Sequence, residues 1–214
     1  RGGKQIDLIP NGADPEMFDP QLGGEDFRNQ HNLGMDFVVL YAGAHGLSND
    51  LGVVLEAAEL LKTDKGLRFV LVGDGKEKPA LMNQAGSRNL TNVLFLPPAP
   101  KTKMPQVLAG ADACIAILKP IKLYKTTYPN KVFDYMAAGK AVLLVIDGVI
   151  RELVEQAGAG KFVEPGNPQA LASAVRQLMK NPGDAEKMGR AGRLYIENKF
   201  SRTQIASQFN LLLE

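Results

Sequence analysis

The sequence is poor in the residues that mark several common protein classes. Its 214 residues contain one cysteine, Cys114, so no disulfide can form within the chain. Its two histidines lie far from that cysteine in the sequence, and no metal-binding motif results. The longest apolar runs, residues 37–44 and 141–146, fall well short of the roughly 20 residues that a membrane-spanning helix needs. Nothing therefore indicates a disulfide scaffold, a metal module or a membrane span, and we expect a reducing, cytoplasmic location.

Acidic residues are also missing from one segment of this nearly neutral chain. The formal net charge is +2, yet residues 113–133 contain four lysines and no aspartate or glutamate. The lysines are Lys119, Lys122, Lys125 and Lys131. A patch of this size can concentrate small anions, but it is much shorter than the basic runs that indicate nucleic-acid binding. The charge pattern favours a phosphorylated small molecule as the ligand and no nucleic-acid partner.

Short apolar runs alternate with longer amphipathic segments along almost the whole chain. This alternation is typical of a parallel sheet with helices on both faces. It predicts an α/β, doubly wound, Rossmann-like single domain over residues 1–214, with an entry strand and connector in residues 1–35 and a terminal helix in residues 199–214. Strands are predicted at residues 6–9, 37–42, 68–72, 93–96, 113–118, 142–146 and 161–163. Helices are predicted at residues 51–62, 77–85, 104–109, 130–138, 150–156, 168–180, 184–197 and 202–213.

Glycine-rich and polar loops follow several of the predicted strands. In open parallel sheets, ligands bind outside the carboxyl ends of the strands, where loops lead into helices. Loops of this kind occupy residues 43–50, 73–76, 97–103 and 119–129. We therefore expect backbone N–H groups and cations from these loops to face a phosphate.

The helix predicted at residues 130–138 has an unusual charge in its first turn. Pro129 suits the first helical position and Gly139 suits the C-terminal cap. Lys131 opposes the helix dipole, which favours negative charge there, so a phosphate bound beside it would explain its presence. The alternative is an ordinary solvated lysine.

Two further residues have two interpretations each. Asp134 lies three residues after Lys131, so it either forms an ion pair with that lysine or accepts hydrogen bonds from a ribose diol. His45 lies in a glycine-rich turn, where it either donates to a phosphate or sugar hydroxyl or is simply exposed.

Several phosphate-binding motifs are absent. Gly73-Asp74-Gly75 resembles the start of a dinucleotide fingerprint, but Lys78 stands where the third glycine is needed. Gly139-Lys140 ends a helix, whereas the phosphate loop of ATPases and kinases opens one. No Asp-x-Asp pair could hold a divalent ion on a diphosphate, so lysines and N–H groups would meet the phosphate charge.

A series of motifs resembles the retaining glycosyltransferases of group 1. The motifs occur in the family's order: Asn11-Gly12-Ala13-Asp14 with Phe18, Tyr41-Ala42-Gly43, Val72-Gly73-Asp74-Gly75, residues 129–140 and Glu164-Pro165-Gly166-Asn167. The resemblance covers nearly the whole chain and only the C-terminal, donor-binding half of the two-domain GT-B architecture. It is strongest to bacterial members that transfer amino sugars in surface polysaccharide assembly.

The resemblance implies roles for individual residues. Asp134 stands where the family usually has a glutamate that holds the nucleotide ribose, and Thr126 stands where a second glutamate contacts the donor sugar. Residues 95–97 resemble the loop that contacts the base through its backbone. Lys131 and Lys125 are the candidate catalytic residues, since they would stabilise the leaving diphosphate. The candidate donor-binding residues are Gly43, His45, Asn49, Gly73, Gly75, Phe95, Leu96, Thr126, Thr127, Asn130 and Asp134.

The resemblance also implies a reaction. It is the metal-independent, retaining transfer of a hexose or amino sugar from a nucleotide diphosphate sugar, expected to be UDP-linked, to a glycan or lipid-linked acceptor in polysaccharide biosynthesis. No cofactor is expected beyond this donor. The N-terminal acceptor domain is expected to be missing, so the isolated chain should bind donor and transfer little, and the missing half would meet the inner face of the membrane. Two alternatives stay open: a sugar-nucleotide epimerase or phosphorylase of the same architecture, and a non-catalytic nucleotide-sugar-binding module.

Overall fold

A computed structural model describes residues 11–19 and 22–213 of the chain. Its strands are β1 (Phe37–Ala42), β2 (Leu67–Val72), β3 (Val93–Leu96), β4 (Ala113–Ile117), β5 (Ala141–Val145) and β6 (Gly160–Phe162). Its α-helices are α1 (Glu25–Gln30), α2 (Leu51–Leu60), α3 (Lys78–Ser87), α4 (Met104–Ala109), α5 (Asn130–Ala137), α6 (Val149–Ala157), α7 (Pro168–Lys180), α8 (Pro182–Lys199) and α9 (Arg202–Leu213). These elements confirm the predicted strands and helices to within two residues at each end, and the strand predicted at residues 6–9 lies outside the described residues.

The six strands form one parallel sheet in the order β3-β2-β1-β4-β5-β6. All six residues of β1 pair with β2, while the other side of β1 pairs with β4. The strand order reverses direction between β1 and β4. The loops after these two strands are hydrogen-bonded to each other: the Lys119 N–H donates to the Ser48 carbonyl at 2.9 Å, and the Tyr124 hydroxyl donates to the Ser48 hydroxyl at 2.7 Å. The α/β, doubly wound class predicted from the sequence is confirmed.

Apolar side chains fill both faces of this sheet. Successive residues of β1 point to opposite faces, so Val38 and Leu40 join one core cluster, and Val39 and Tyr41 join the other. The first cluster includes buried residues of α4, α5 and α6, and the second includes buried residues of α2, α3 and α7. Because β1 is buried on both faces, its sequence is a continuous apolar run.

The predicted connector contains structure that its composition did not indicate. Residues 15–17 form a short 3₁₀ turn, and α1 follows with Phe27 buried against Gly110. Arg193 of α8 donates to the carbonyls of Pro15, Phe18 and Ala137, which fixes the connector against the C-terminal end of α5. Within the described ranges, no helix is long and apolar enough to cross a membrane.

Candidate functional site

Two loops at the carboxyl edge of the sheet pack directly against each other. The first is the Gly43 turn, which we define as residues 43–50, and the second is residues 73–75. The His45 N–H donates to the Asp74 carbonyl at 2.8 Å, and Gly73 has a φ of +145°. A Cβ on Gly73 would overlap the Gly43 carbonyl oxygen. Only glycine fits position 73, because both its backbone conformation and its surroundings exclude a side chain.

The backbone N–H groups of these loops are mostly used within the protein. Those of Gly43 and Gly73 donate to the Val72 and Leu96 carbonyls at 3.0 and 3.2 Å. The Gly75 N–H donates to the Asp74 side chain at 2.8 Å. The expectation that these glycine loops offer their N–H groups to a phosphate is therefore wrong for Gly43, His45, Gly73 and Gly75. The reason is that the loops continue the hydrogen bonding of adjacent parallel strands before they diverge.

The N-terminus of α5 has free donors instead. The helix begins at Asn130 and no side chain caps it, and Val132 is the first residue whose N–H bonds back, to the Pro129 carbonyl at 3.0 Å. The N–H groups of Asn130 and Lys131 precede the first helical hydrogen bond, and the first turn contains no acidic residue. Pro129 occupies the cap, one position before the predicted one, and Gly139 ends the helix with a φ of +67°. This end of α5 is suited to an anion.

Tyr135 fixes α5 against the end of β1. Its hydroxyl accepts a hydrogen bond from the Ala42 N–H at 3.0 Å and donates to the Ala42 carbonyl at 3.2 Å. Lys131 lies one helical turn earlier on the same face, which directs it toward the Gly43 turn. Its Nζ lies 3.9 Å from the centre of the Tyr41 ring and 2.6 Å from where a Cβ on residue 43 would be. Burial lowers the pKa of Lys131 to about 7.

The structure decides between the alternative interpretations of Lys131 and Asp134. Lys131 is half-buried against Tyr41, so it is not an ordinary solvated lysine. It forms no ion pair with Asp134, whose carboxyl is instead influenced by the charges of Arg202 and Lys101. Burial raises the pKa of the half-buried Asp134 carboxyl. Lys131 therefore does not engage the carboxylate oxygens of Asp134. These oxygens can still accept hydrogen bonds, as the ribose interpretation requires.

His45 is buried, which contradicts the interpretation of an exposed loop histidine. It has no exposed surface, and neither ring nitrogen has a partner among the described residues. Its ring lies between those of Tyr41 and Phe95, with centroids 5.9 and 6.1 Å away. Burial, aided by Lys78 and Lys131, lowers the pKa of His45 to about 4, so the imidazole is neutral at pH 7. Asn49, four residues later, closes the Gly43 turn through its N–H, which donates to the Gly46 carbonyl at 3.0 Å.

Lys78 is a site residue that the sequence reasoning missed. Its ammonium group donates to the carbonyls of Gly73 and Leu96 at 2.7 and 2.8 Å, which joins the ends of β2 and β3. The Leu96 carbonyl also accepts from Gly73, so it is not available to a nucleobase, although the sequence predicted a backbone contact from this segment. In the sequence, Lys78 was noted only because it stands where the third glycine of a dinucleotide fingerprint is needed.

Two openings flank these elements. A pocket of about 230 Å³ lies beside the Gly43 turn and is lined by Gly43, Ala44, Val72, Gly73, Asp74, Pro98, Ala99 and Met104. A second opening, which we call the β4–β6 cleft, has a volume of about 340 Å³. It is lined by Lys119, Pro120, Ile121, Tyr124, Lys125, Ile146, Asp147, Arg151, Phe162, Glu164 and Pro165.

Lys125 lies in the β4–β6 cleft, away from Lys131. Its Nζ is 2.6 Å from a carboxylate oxygen of Asp147, which also pairs with Arg151. The next residue, Thr126, is exposed, and its hydroxyl donates to the Leu123 carbonyl at 3.0 Å. The N–H of Thr127 donates to the Tyr124 carbonyl at 3.2 Å. The two predicted catalytic lysines therefore occupy different surroundings. In the described part of the chain, no three His, Cys, Asp or Glu side chains are grouped as metal ligands would be.

Comparisons with known proteins give a consistent result. Residues 24–195 match the family model described as "Glycosyl transferases group 1". The chain is 22% identical to an uncharacterised glycosyltransferase of Methanocaldococcus jannaschii, with 95% of this chain and 52% of that protein aligned. It is also 22% identical to the 2-deoxystreptamine glucosyltransferase of Streptomyces kanamyceticus, with 91% and 50% aligned. The chain thus spans about half the length of these relatives.

Solved structures share its fold. Anabaena HepE in complex with UDP superimposes with a TM-score of 0.85 at 21% identity, over 97% of this chain and 57% of HepE. The C-terminal domain of the group 1 glycosyltransferase LpcC from Francisella tularensis superimposes with a TM-score of 0.77 at 18% identity. That match covers 89% of this chain and all of the LpcC domain. The fold is thus that of the C-terminal half of the GT-B architecture, and the match over residues 24–195 shows that this chain belongs to the group 1 glycosyltransferases.

Proposed function

We propose that this chain binds the nucleotide part of a UDP-sugar between the Gly43 turn and the N-terminus of α5, as the donor-binding half of a retaining glycosyltransferase. The observation that supports this most is the N-terminus of α5, where uncapped N–H groups and the Lys131 ammonium group converge on the end of β1. Solved structures of HepE contain UDP or UDP-glucose, which fits the same ligand class.

The chemistry of the proposed reaction explains why a lysine is needed there. Transfer breaks the bond between the sugar C1 and the diphosphate, and the leaving diphosphate gains negative charge. Groups that hold this charge more tightly in the transition state than in the bound donor accelerate the reaction. In the proposed site, Lys131 and the N–H groups of Asn130 and Lys131 can do so. Retention, a hexose or amino sugar as the transferred group, and a glycan or lipid-linked acceptor are parts of the same proposal.

The remaining parts of the donor have matching surroundings. Asp134 lies one turn after the helix N-terminus, where its carboxylate can accept hydrogen bonds from the ribose diol. The pocket of about 230 Å³ beside Gly43 and Pro98 would receive the base. Phe95 and His45 do not line this pocket; their rings contact each other, with centroids 6.1 Å apart.

Titration of the purified chain with UDP, GDP and ADP tests the donor site. We expect UDP to raise the stability of the chain to denaturation, by about 2.7 kcal/mol when its concentration is 100 times the dissociation constant. Uridine should stabilise it less, because it lacks the diphosphate. If none of the three nucleotides raises the unfolding midpoint, the proposed donor site is wrong.

One observation favours the non-catalytic alternative. The Thr126 hydroxyl, at the position expected to contact the donor sugar, is already bonded to the Leu123 carbonyl. A binding module predicts that UDP-glucose and UDP bind equally and that no transfer accompanies binding, even in the complete polypeptide. A transferase predicts transfer by the complete polypeptide, with loss of that activity in Lys131→Met. The isolated chain should transfer little in either case.

A further inference from the structure

The surroundings of Lys131 are unusual for a lysine on a helix. Its ammonium group lies over the Tyr41 ring, 3.9 Å from the ring centre. Tyr41 has no exposed surface. The Tyr41 hydroxyl donates to the Ala44 carbonyl at 2.7 Å, so the ring is fixed from its far end by the Gly43 turn. The ring is therefore a rigid platform, because both its packing and its hydrogen bond are set by the strand and the turn.

The Gly43 turn completes this position. Lys131 Nζ lies 2.6 Å and the Tyr41 hydroxyl 3.2 Å from where a Cβ on residue 43 would be. A side chain at this position would displace the lysine. The hydroxyl of Tyr135 fixes α5 to Ala42, the residue that precedes this turn. Two tyrosines and a glycine thus define where the ammonium group lies.

We propose that Tyr41 is a positioning residue of the diphosphate site: its ring holds the Lys131 ammonium group against the Gly43 turn, so that diphosphate binding is coupled to proton uptake by this lysine. The inference rests on the donor site proposed above. The lysine supplies an electron pair to a proton taken from the buffer and becomes a cation that pairs with the diphosphate. No other bond changes.

The charges around Lys131 are compatible with this coupling. His45 faces it from the Gly43 turn, and burial keeps that imidazole neutral at pH 7. The Tyr41 phenol is also neutral, since burial raises its pKa. Asp134 on the same helix interacts electrostatically with Arg202 and Lys101, and not with Lys131. Within residues 11–19 and 22–213, no carboxylate pairs with Lys131, and burial lowers its pKa to about 7 in the free protein. A bound diphosphate would reverse this by supplying the missing negative charge.

The first experiment needs no nucleotide. The protein is labelled with ¹³C at lysine Cε, and the NMR signal of Lys131 is followed against pH. This signal is assigned as the one that is absent in Lys131→Met. We expect a midpoint near pH 7 in the unsubstituted chain. In Tyr41→Leu the ammonium group loses its platform and moves into solvent, so the midpoint should rise toward the ordinary lysine value. Tyr41→Phe keeps the ring and should keep the low midpoint.

A matched control separates positioning from general loosening of the core. Phe69 of β2 is buried as completely as Tyr41 and belongs to the same core cluster. Phe69→Leu should destabilise the chain about as much as Tyr41→Leu without moving the Lys131 midpoint. An equal shift in both variants, or an unchanged or lowered midpoint in Tyr41→Leu, would overturn the positioning role.

The second experiment measures the coupling itself. Calorimetric titration with UDP in two buffers of different ionisation enthalpy gives the number of protons taken up on binding. At pH 7 we expect uptake of about half a proton per site, because Lys131 is neutral in about half of the molecules. At pH 8 the uptake should be larger. Lys131→Met should take up none, and Tyr41→Leu should bind UDP about three- to tenfold more weakly with less uptake.

The outcomes distinguish the two proposals. If UDP does not bind to the unsubstituted chain, the donor site itself fails. If UDP binds with no proton uptake, or with the same uptake in Lys131→Met, the donor site stands and the coupling is wrong.

Discussion

Lys131 and Lys125, which the sequence analysis gave the same predicted role, lie in contrasting surroundings at the carboxyl edge of the sheet. On the Gly43 side, Lys131 is half-buried over an aromatic ring and has no carboxylate partner in the part of the chain that the structure describes. On the side of the β4–β6 cleft, Lys125 is exposed and pairs with Asp147 at 2.6 Å. A cation that is desolvated and unpaired can gain more from an anionic ligand than one that must first leave a carboxylate. The difference supports the proposal that Lys131, and not Lys125, is the main phosphate-binding cation.

The largest difference between the two sides should appear in the stability lost when a glycine on each side is replaced by alanine. Gly73 and Gly166 both have positive φ angles, +145° and +77°. A Cβ on Gly73 would overlap the Gly43 carbonyl oxygen, whereas the nearest atom to one on Gly166 is Pro120 Cγ at 3.9 Å. Gly73→Ala should lower the free energy of unfolding by about 3 kcal/mol, since it adds a backbone clash to the conformational strain.

Gly166→Ala is the matched control, because it carries conformational strain alone and should cost about 1 kcal/mol. Urea denaturation of both variants measures the difference. Equal losses would show that the Gly43 side is no more tightly packed than the cleft.

Removal of each lysine charge tests the comparison directly. Lys131→Met keeps the side-chain stem on Tyr41 but removes the charge, so UDP binding should weaken about 10- to 100-fold, as expected for a charge-assisted contact. Uridine binding should change little. Lys125→Met should weaken UDP binding by less than about threefold, because its charge is already compensated.

Calorimetric titration with UDP and uridine gives both ratios. Equal losses for the two lysines would mean that the contrast in their surroundings has no functional consequence. Equal losses of UDP and uridine binding in Lys131→Met would contradict its role at the phosphate.

Acid stability should report the burial of His45. Its pKa is lowered from 6.5 to about 4 in the folded chain, so between these values the unfolded chain binds a proton that the folded chain does not. The free energy of unfolding should therefore fall as the pH is lowered from 6.5 to 4. His45→Phe should lack this contribution.

The free energies of unfolding of the variant and the unsubstituted chain are measured by urea denaturation at several pH values. Their difference contains the contribution of His45 alone, because the carboxylates are the same in both chains. A difference that does not depend on pH in this window would show that the imidazole is hydrated in solution.

The smallest effect is expected in the β4–β6 cleft. Asp147→Asn removes the partner of Lys125 and leaves that lysine free. If the cleft is separate from the diphosphate, UDP affinity should stay within about twofold, as for most exposed ion pairs. A several-fold gain in affinity, measured by the same titration, would assign Lys125 to the donor site after all.

Local patterns were sufficient for most of the fold. Strands β1 and β3 and helices α4, α7 and α9 have the bounds that the sequence predicted. Helix α1 was missed, since its six residues lie in a segment rich in Pro, Gly and Asp. It is stabilised by the burial of Phe27 against Gly110, a contact that only the tertiary structure provides.

The site was predicted less completely than the fold. The N-terminus of α5, Lys131 and Asp134 were named from the sequence, since charge and capping patterns are local, and their roles stay predictions. Tyr41 and Lys78 were not, because their roles depend on contacts across neighbouring strands and loops. The predicted availability of the Gly43 and Gly73 N–H groups was wrong for the same reason, since a pattern of glycines does not show where their hydrogen bonds go.

The sequence by itself determined the parallel sheet, the helix that begins at Asn130 and the charge of that helix's first turn, because propensity and periodicity act over short distances. The tertiary structure alone decided which lysine is buried and which is paired. Burial and pairing depend on residues distant in the sequence: Tyr41 lies 90 positions before Lys131, and Asp147 lies 22 positions after Lys125. These long-range contacts set the charge state of each lysine, and with it the proposed division between a phosphate-binding cation and a structural ion pair.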